Sequence, residues 1–154
     1  MNDVNLKLIE LGLKLPEIPN PVAAYVNAKQ VGNLIYTSGQ LPIITGELIS
    51  RGLLGKDVNI DEGIAAAKVC ILNALAVIES IVGDLNQIKQ VVKLSGYVAS
   101  DPTFTQQPLV INGASELLIN IFGEKGKHAR VAVGAAVLPL NAPVEIELFV
   151  EIQN

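Results

Sequence analysis

The stretch ARVAVGAAVLPLNAPVEIELFVEIQN, residues 129–154, decides the fold, because apolar residues recur at every second position along two of its segments. Such alternation is typical of β-strands that have one buried face. A turn that contains Pro139 and Pro143 separates the segments, so the stretch predicts a terminal β-hairpin. The apolar residues that define its buried face are Val131, Val133, Val137, Val144, Ile146, Leu148, Val150 and Ile152.

The opposite face of this predicted hairpin carries an arginine, small residues and carboxylates. Its members are Arg130, Ala132, Gly134, Ala136, Glu145, Glu147, Phe149 and Glu151. An arginine above small residues leaves room for a ligand, and a planar guanidinium suits a carboxylate or a phosphate. Arg130 therefore marks a candidate binding site. The structural alternative is an ion pair between Arg130 and Glu145 or Glu147 across the ladder.

The composition indicates one domain that buries a sizeable core. The chain has 154 residues, of which 50% are hydrophobic, and its mean hydropathy is +0.44. It has no run of about 18 uninterrupted apolar residues, so we expect neither a transmembrane helix nor a membrane partner. The surplus of apolar residues instead predicts an interface between subunits.

Charge and residue usage argue against several classes of function. Fifteen acidic residues outnumber eleven basic ones, and the net charge of −4 argues against nucleic-acid binding by phosphate neutralisation. The single Cys and the single His exclude a disulfide framework and a Cys/His metal cluster. The first 15 residues do not form a basic, apolar signal, so we expect a cytoplasmic protein.

The rest of the chain predicts helices that interrupt a set of strands. Asn59 and Glu62 have the spacing of a capping box at the start of a long helix, and Gly83 is positioned to end it. The other predicted elements are a helix over 2–15, strands over 23–27, 33–38 and 90–99, a loop over 45–57 with one short strand at most, a helix from 105 or 108 to 122, and turns over 28–30 and 123–127.

This order predicts an α+β two-layer sandwich, in which a mixed sheet carries two main helices on one face. We expect a single domain over 1–154, with a helical extension over 1–15 and a core over 22–153. Other subunits would cover the second face of the sheet. Cys70 is interpreted as a buried hydrophobe, and His128 as a surface or interface histidine, with substrate contact as the alternative.

The residues and segments that carry a resemblance are Tyr25, 36–42 (YTSGQLP), 91–93 (VVK), Asn112, Arg130, Leu138-Pro139 and 144–147 (VEIE). Together they resemble the YjgF/RidA family of reactive-intermediate deaminases, and the segments 38–42 and 130–147 follow one another in order and at family spacing. The resemblance spans about 23–152 and leaves the N-terminal helix outside.

The resemblance implies a chorismate-mutase-like fold and a homotrimer with clefts between subunits. It also implies hydrolytic deamination of enamine and imine intermediates, such as 2-aminoacrylate, without a cofactor or metal. Arg130 would bind the substrate carboxylate bidentately, and Glu145 would position or activate the attacking water. A protonated imine carbon is already electrophilic, so positioning and one proton-transferring carboxylate are sufficient. The cleft would be lined by Tyr25, the backbone of Gly39, Asn112 and the strand backbone at Ala132.

Departures from the family pattern define alternative functions. Ala132 stands where family deaminases often have a cysteine, and the segment from Asn112 to Arg130 is slightly longer than in the family. These differences indicate a divergent subgroup, in which the substrate differs or catalysis is lost. The alternatives are a non-catalytic trimer that binds a small carboxylate and, last, an endoribonuclease.

Individual residues also have alternative interpretations. Glu147 shares a face with Glu145 and is the alternative acting carboxylate. Tyr25 can be read as a packing residue on a strand surface, Gly39 as a turn residue, and Asn112 as a polar residue on a helix surface.

Overall fold

The computed structural model describes residues 3–18 and 24–154. The helices are α1 (Val4–Glu10), α2 (Ile60–Val82) and α3 (Gln107–Phe122). The strands are β1 (Ala28–Val31), β2 (Leu34–Thr37), β3 (Ile43–Ile44), β4 (Glu47–Leu48), β5 (Ile88–Ala99), β6 (Ala129–Ala135) and β7 (Val144–Ile152). Short 3₁₀ turns cover Leu85–Gln87, Gly123–Gly126 and Pro139–Asn141.

Five of the strands form one mixed sheet in the order β1-β2-β7-β5-β6. β5 and β6 are parallel, and all the other neighbours in this sheet are antiparallel. α2 and α3 pack against each other and against the sheet, and they share one buried apolar core with it. β3 and β4 form a separate short ladder, and β4 is the one short strand within the loop predicted over 45–57. The predicted α+β two-layer architecture is therefore confirmed.

The predicted terminal hairpin is wrong, because β5 lies between β6 and β7. The chain leaves β5, passes through α3 and returns as β6, parallel to β5, which is the usual geometry of a helical crossover. This crossover occupies one side of β5. β7 takes the other side and also pairs with β2. Alternation of residue types identifies the two strands but carries no information on which strands are neighbours.

The buried face of β6 also differs from the prediction. Leu94 of β5 pairs with Arg130 on one side and with Leu148 on the other, so these three side chains share the face that the helices cover. Val131 and Val133 lie on the other, open face and are 41% and 45% exposed. The prediction is confirmed for the buried residues of β7, which are Val144, Ile146, Leu148 and Val150.

α2 begins and ends as predicted. Asn59 Oδ1 accepts a hydrogen bond from the Glu62 backbone at 2.9 Å, and Glu62 Oε2 accepts one from the Asn59 backbone at 3.0 Å. Gly83 ends the helix with a φ of 79°, a left-handed conformation that favours glycine. By length and composition α2 is apolar enough to cross a membrane, but more than half of its most apolar window is buried within the fold.

The N-terminal region differs from the prediction in extent. α1 covers only Val4–Glu10, and buried Val4 donates its backbone N–H to Asn86 Oδ1 at 3.0 Å. The strand predicted over 23–27 is found at Ala28–Val31, because the turn into β2 lies at Gly32 and Asn33 rather than at 28–30. Position 23 lies outside the described residues.

Candidate functional site

Arg130 extends from β6 toward α3, and three oxygen atoms on that helix accept hydrogen bonds from its guanidinium. Nη1 donates to Asn112 Oδ1 at 2.8 Å and to Ser115 Oγ at 3.1 Å. Nη2 donates to the Pro108 carbonyl at 3.4 Å. Asn112 and Ser115 are three residues apart on α3, so they lie on the same side of the helix, one turn from each other. Asn112, which the family resemblance places in the same cleft as Arg130, is thus bonded to Arg130 within one chain.

The ion pair considered as an alternative for Arg130 is absent from the structure. Glu145 and Glu147 lie on the open face of the sheet, whereas Arg130 lies on the helix face, with β5 between the two strands. In the described part of the chain, every ion pair involves a lysine, and none involves Arg130. Among the described residues, the half-buried guanidinium is thus bonded only to neutral acceptors.

Small residues allow α3 to approach the sheet beside Arg130. A Cβ built at Gly96, which pairs with Ala132, would lie 2.6 Å from Ile111 Cδ1 of α3. Ala132 packs against the core on the same side of β6 as Arg130. A larger side chain at either position would push the helix outward and carry the acceptors of the Arg130 side chain away from it.

Ser115 was missed by the sequence analysis, and His128 was interpreted mainly as a surface residue. Ser115 Oγ lies 2.9 Å from His128 Nε2, and His128 Nδ1 lies 2.6 Å from the Gly126 carbonyl oxygen. Both side chains are partly buried. The only signal in the sequence was helical spacing, since Ser115 follows Asn112 by three residues. We call Arg130, Asn112, Ser115 and His128 the arginine cluster.

A second group of polar residues forms on the open face of the sheet. A Cβ built at Gly39 would collide with the carboxylate of Glu145 and lie 2.9 Å from its Cδ, so only glycine admits that carboxylate at this position. Gly39 is held there because the next residue, Gln40, exchanges backbone hydrogen bonds with Ile146. Tyr97 Oη donates to Glu147 Oε1 at 3.1 Å. We call Gly39, Glu145, Glu147 and Tyr97 the glutamate cluster.

The two carboxylates of the glutamate cluster differ in their surroundings. Burial, and second the charge of Glu147, raise the pKa of Glu145 above its ordinary value. Burial also raises the pKa of the Tyr97 hydroxyl, with a further contribution from the negative charge of Glu147. The site thus makes Glu145 a weaker acid than an exposed glutamate. Buried carboxyl groups of this kind are common among proton-transferring residues.

The predicted site residues therefore do not form one site within a single chain. The arginine cluster contains Arg130 and Asn112, with Ala132 on the same face, and the glutamate cluster contains Glu145 and Gly39. Tyr25 is 48% exposed and precedes β1. A separate groove of about 920 Å³ lies between residues 55–62 and 103–106 and is lined by none of the predicted site residues.

Comparison with known proteins assigns the chain to a family. Residues 5–152 match the family model described as "YjgF/chorismate_mutase-like, putative endoribonuclease". Protein TCP17 of Trypanosoma cruzi is 43% identical over 152 residues, which are 98% of this chain and 95% of that protein. The 2-iminobutanoate/2-iminopropanoate deaminase of Dermatophagoides farinae is 31% identical over 143 residues, 92% of this chain and 95% of that protein.

A solved crystal structure is also similar to this chain, both in fold and in sequence. The crystal structure of Atu1372, a protein of unknown function from Agrobacterium tumefaciens, superposes with a TM-score of 0.92 at 48% identity, covering 97% of this chain and 92% of that one. The similarity includes the N-terminal region, because almost the whole of both chains is covered. The sheet, the two packed helices and the family match together identify a chorismate-mutase-like fold, and the chain belongs to the YjgF/RidA family.

Proposed function

We propose that the protein hydrolyses 2-imino acids to 2-keto acids and ammonia in clefts between the subunits of a homotrimer. The observation that carries the proposal is the state of Arg130, a half-buried cation that has neutral acceptors and no carboxylate partner among the described residues. Such a cation favours binding of an anion from outside the chain. The imino-acid class is suggested by the 31% identical deaminase.

The free side of the guanidinium suits a carboxylate. Both hydrogens of Arg130 Nη1 are donated to α3, and one hydrogen of Nη2 is donated to Pro108. The Nε hydrogen and the second Nη2 hydrogen have no acceptor among the described residues. These two hydrogens form a planar fork that matches the two oxygens of a carboxylate. Asn112 and Ser115 thus orient the fork, and the substrate supplies the charge that the chain does not.

Two subunits are needed to complete the site. Arg130 and Glu145 lie on opposite faces of the sheet in one chain, so the same substrate cannot contact both within that chain. A neighbouring copy would bring its glutamate cluster to the arginine cluster of the first. The exposed Val131 and Val133 on the open face support association between copies.

In this cleft the reaction needs one proton-transferring group. Water attacks the carbon of the protonated imine, and as the C–O bond forms, a water proton passes to the Glu145 carboxylate. Glu145 then returns the proton to the nitrogen of the carbinolamine. The C–N bond breaks, its electron pair leaves with ammonia, and the hydroxyl proton is released as the C=O bond forms. The raised pKa of Glu145 suits a group that must accept and then donate a proton.

Glu145 rather than Glu147 is proposed as the acting carboxylate. Glu147 accepts a hydrogen bond from Tyr97, whereas Glu145 has no hydrogen-bond donor among the described residues and lies against the bare Cα of Gly39. A carboxylate without a fixed donor is available to a water molecule. Tyr25, the backbone of Gly39 and the strand backbone at Ala132 are proposed to line the cleft.

The test is imine hydrolysis with matched variants. An amino-acid oxidase generates 2-imino acids, semicarbazide traps those that survive, and the wild-type protein is compared with Arg130→Ala, Glu145→Gln and Glu147→Gln. The proposal expects the wild type to suppress the trapped product, with a loss of about 100-fold or more in Arg130→Ala and in Glu145→Gln. Glu147→Gln should retain activity. Equal activity of wild type and Arg130→Ala contradicts the proposal.

A second candidate is a trimer that binds a small carboxylate without catalysis. It is supported by the same unpaired Arg130, and it does not require Glu145. Binding of 2-oxobutanoate, measured by calorimetry, separates the two functions. Loss of binding in Arg130→Ala, with unchanged binding in Glu145→Gln and no imine hydrolysis by the wild type, would establish the sensor and reject the deaminase.

Endoribonuclease activity is a further candidate, since the family description includes it. An unpaired arginine also suits a phosphate. The net charge of −4 and the three Phe, three Tyr and no Trp provide little charge or stacking surface for RNA. RNA cleavage that persists at moderate salt and is lost in Arg130→Ala would support this candidate.

A further inference from the structure

We propose that Ser115 and His128 are positioning residues that fix the Arg130 guanidinium for carboxylate binding. The proposal deepens the proposed function and rests on it for the identity of the bound anion. It assigns a role to a serine and a histidine that lie outside the residues expected from the family resemblance. A series of hydrogen bonds runs from Gly126 through His128 and Ser115 to Arg130, and the direction of each bond determines the next.

The Gly126 carbonyl oxygen determines which ring nitrogen of His128 carries a hydrogen. A carbonyl oxygen only accepts hydrogen bonds, so the 2.6 Å contact requires His128 Nδ1 to carry a hydrogen. In the neutral ring Nε2 is then a bare acceptor. Ser115 Oγ, 2.9 Å from Nε2, must therefore donate its single hydrogen to His128.

The tautomer of His128 in turn determines the direction in which the Ser115 hydroxyl hydrogen points. Because the Ser115 hydrogen is committed to His128, only the lone pairs of Oγ face Arg130, and Nη1 donates to them at 3.1 Å. Without His128, the hydroxyl could rotate and present its hydrogen to the guanidinium, which has no lone pair to accept it. The directed chain thus keeps Ser115 as an acceptor for Arg130.

Packing fixes the position of Gly126, where this series of hydrogen bonds begins. Gly126 is buried in the 3₁₀ turn that follows α3, and a Cβ built there would collide with the Leu118 carbonyl oxygen and lie 2.8 Å from its carbon. The turn is therefore docked directly on the helix that carries Ser115. Gly126 and Ser115, the two partners of His128, belong to this turn and to α3, so His128, which directly precedes β6, is bonded to both of them.

This arrangement explains how Arg130 is held without a counter-charge. Asn112 and Ser115 occupy both hydrogens of Nη1 and leave the fork of Nε and Nη2 for the ligand. If Ser115 ceases to accept, Nη1 keeps one partner and the guanidinium gains freedom to rotate about Asn112. Carboxylate binding then costs more conformational entropy, while the chemical step at the imine carbon is unchanged.

The first test compares Ser115→Ala with the conservative Ser115→Thr. Ser80→Ala is the matched control, because Ser80 is also a helix serine whose hydroxyl is hydrogen-bonded, to Val77 O, and it lies on α2 rather than α3. We expect Ser115→Ala to raise both KM and the Kd for 2-oxobutanoate by about tenfold, with kcat changed less than about twofold. Ser115→Thr should restore most of the affinity. An unchanged Kd in Ser115→Ala overturns the proposal.

The second test asks whether Ser115 and His128 act as one chain. His128→Ala should raise the same Kd by about threefold to tenfold. The double variant Ser115→Ala/His128→Ala should bind no more weakly than Ser115→Ala alone, because Ser115→Ala already interrupts the series of hydrogen bonds. Independent, multiplicative losses in the double variant would show separate roles and reject the proposal. Melting temperatures of all variants distinguish these effects from partial unfolding.

The third test needs no ligand. Nitrogen-detected NMR of the single histidine should show the Nδ1–H tautomer in the full-length protein at neutral pH, and the Nε2–H tautomer would overturn the proposal. Covalent labelling of Ser115 by diisopropyl fluorophosphate would also overturn it, since the pair would then be a nucleophile and its base. If the wild type binds 2-oxobutanoate but hydrolyses no imino acid, the proposed deaminase function is rejected. The Kd for 2-oxobutanoate of Ser115→Ala then still tests whether Ser115 positions Arg130. A wild type that does not bind 2-oxobutanoate contradicts both.

Discussion

The arginine cluster and the glutamate cluster lie on opposite faces of one sheet, and they differ in how their charges are compensated. In the arginine cluster, a single cation is surrounded by acceptors whose hydrogen bonds are all directed within α3, β6 and the turn between them. In the glutamate cluster, two carboxylates share one strand face, and burial together with the charge of Glu147 opposes ionisation of Glu145. Among the described residues, the cation of the first cluster has no anionic partner, and the two carboxylates of the second have no cationic partner. This difference suggests that each cluster is half of a site.

The largest expected effect comes from replacing Arg130 with a residue that keeps the positive charge but lacks the paired N–H donors of the guanidinium. Arg130→Lys retains a cation, but an ammonium group cannot hold a carboxylate in the plane of two parallel hydrogen bonds. We expect kcat/KM for imino-acid hydrolysis to fall by about 100-fold, and the melting temperature to change little. Steady-state kinetics and a thermal melt measure the two quantities. If Arg130→Lys kept the wild-type kcat/KM, the cluster would act only as a positive charge.

A subunit-mixing experiment tests whether the two clusters meet between chains. Arg130→Ala and Glu145→Gln trimers are each expected to be inactive. After co-refolding in equal amounts, about a quarter of the clefts in random trimers receive both wild-type residues, so about a quarter of wild-type activity should return. Trimers of each variant refolded alone are the control. No recovery in demonstrably mixed trimers would mean that Arg130 and Glu145 do not act in the same cleft.

Gly39→Ala should break the glutamate cluster without touching the arginine cluster. The added methyl group collides with the Glu145 carboxylate, so we expect a loss of about 1–3 kcal/mol in the free energy of unfolding. The same substitution in a Glu145→Ala background should cost much less, because the colliding group is gone. Urea unfolding of the four proteins gives the coupling. Equal costs in both backgrounds would indicate a different cause, such as backbone strain.

The smallest expected effect is on the pH dependence of hydrolysis. The proposed mechanism requires ionised Glu145, so the rate should fall as pH decreases through the pKa of that group. Burial and the charge of Glu147 both raise this pKa, and Glu147→Gln removes the second cause. The acidic limb of the pH–rate profile should therefore move to lower pH in Glu147→Gln. A limb that stays in place, or moves to higher pH, would show that a group other than Glu145 controls it.

The local features of this fold could be read from the sequence. Asn59 and Glu62 form the predicted capping box because capping depends only on neighbouring residues, and the buried stripe of α3 follows helical periodicity. The link between Arg130 and Asn112 was also accessible, but through family resemblance rather than through physical pattern.

The features that the sequence could not supply depend on tertiary pairing. Whether β7 lies beside β6 or beside β5 is decided by the crossover through α3, and the alternating patterns of the strands are the same in both cases. For the same reason, Val131 and Val133 appeared to belong to the core, although they lie on the open face. Ser115 gave only the signal of its helical spacing from Asn112, because its contact with His128 depends on how the chain packs after α3.

The central position of β7 has a consequence for how the molecule assembles. Among the described residues β7 is the last strand along the chain, yet within the five-stranded sheet it lies between β2 and β5 and pairs with both. The segment from β5 through α3 to β6 makes its contacts between parts of the chain that are close in sequence, so the arginine cluster can form early. The glutamate cluster joins Gly39 to a residue more than 100 positions away and must wait for β7 to insert. Until then, the edges of β2 and β5 remain open to wrong partners, which makes insertion of β7 the step at which misassembly is most readily started.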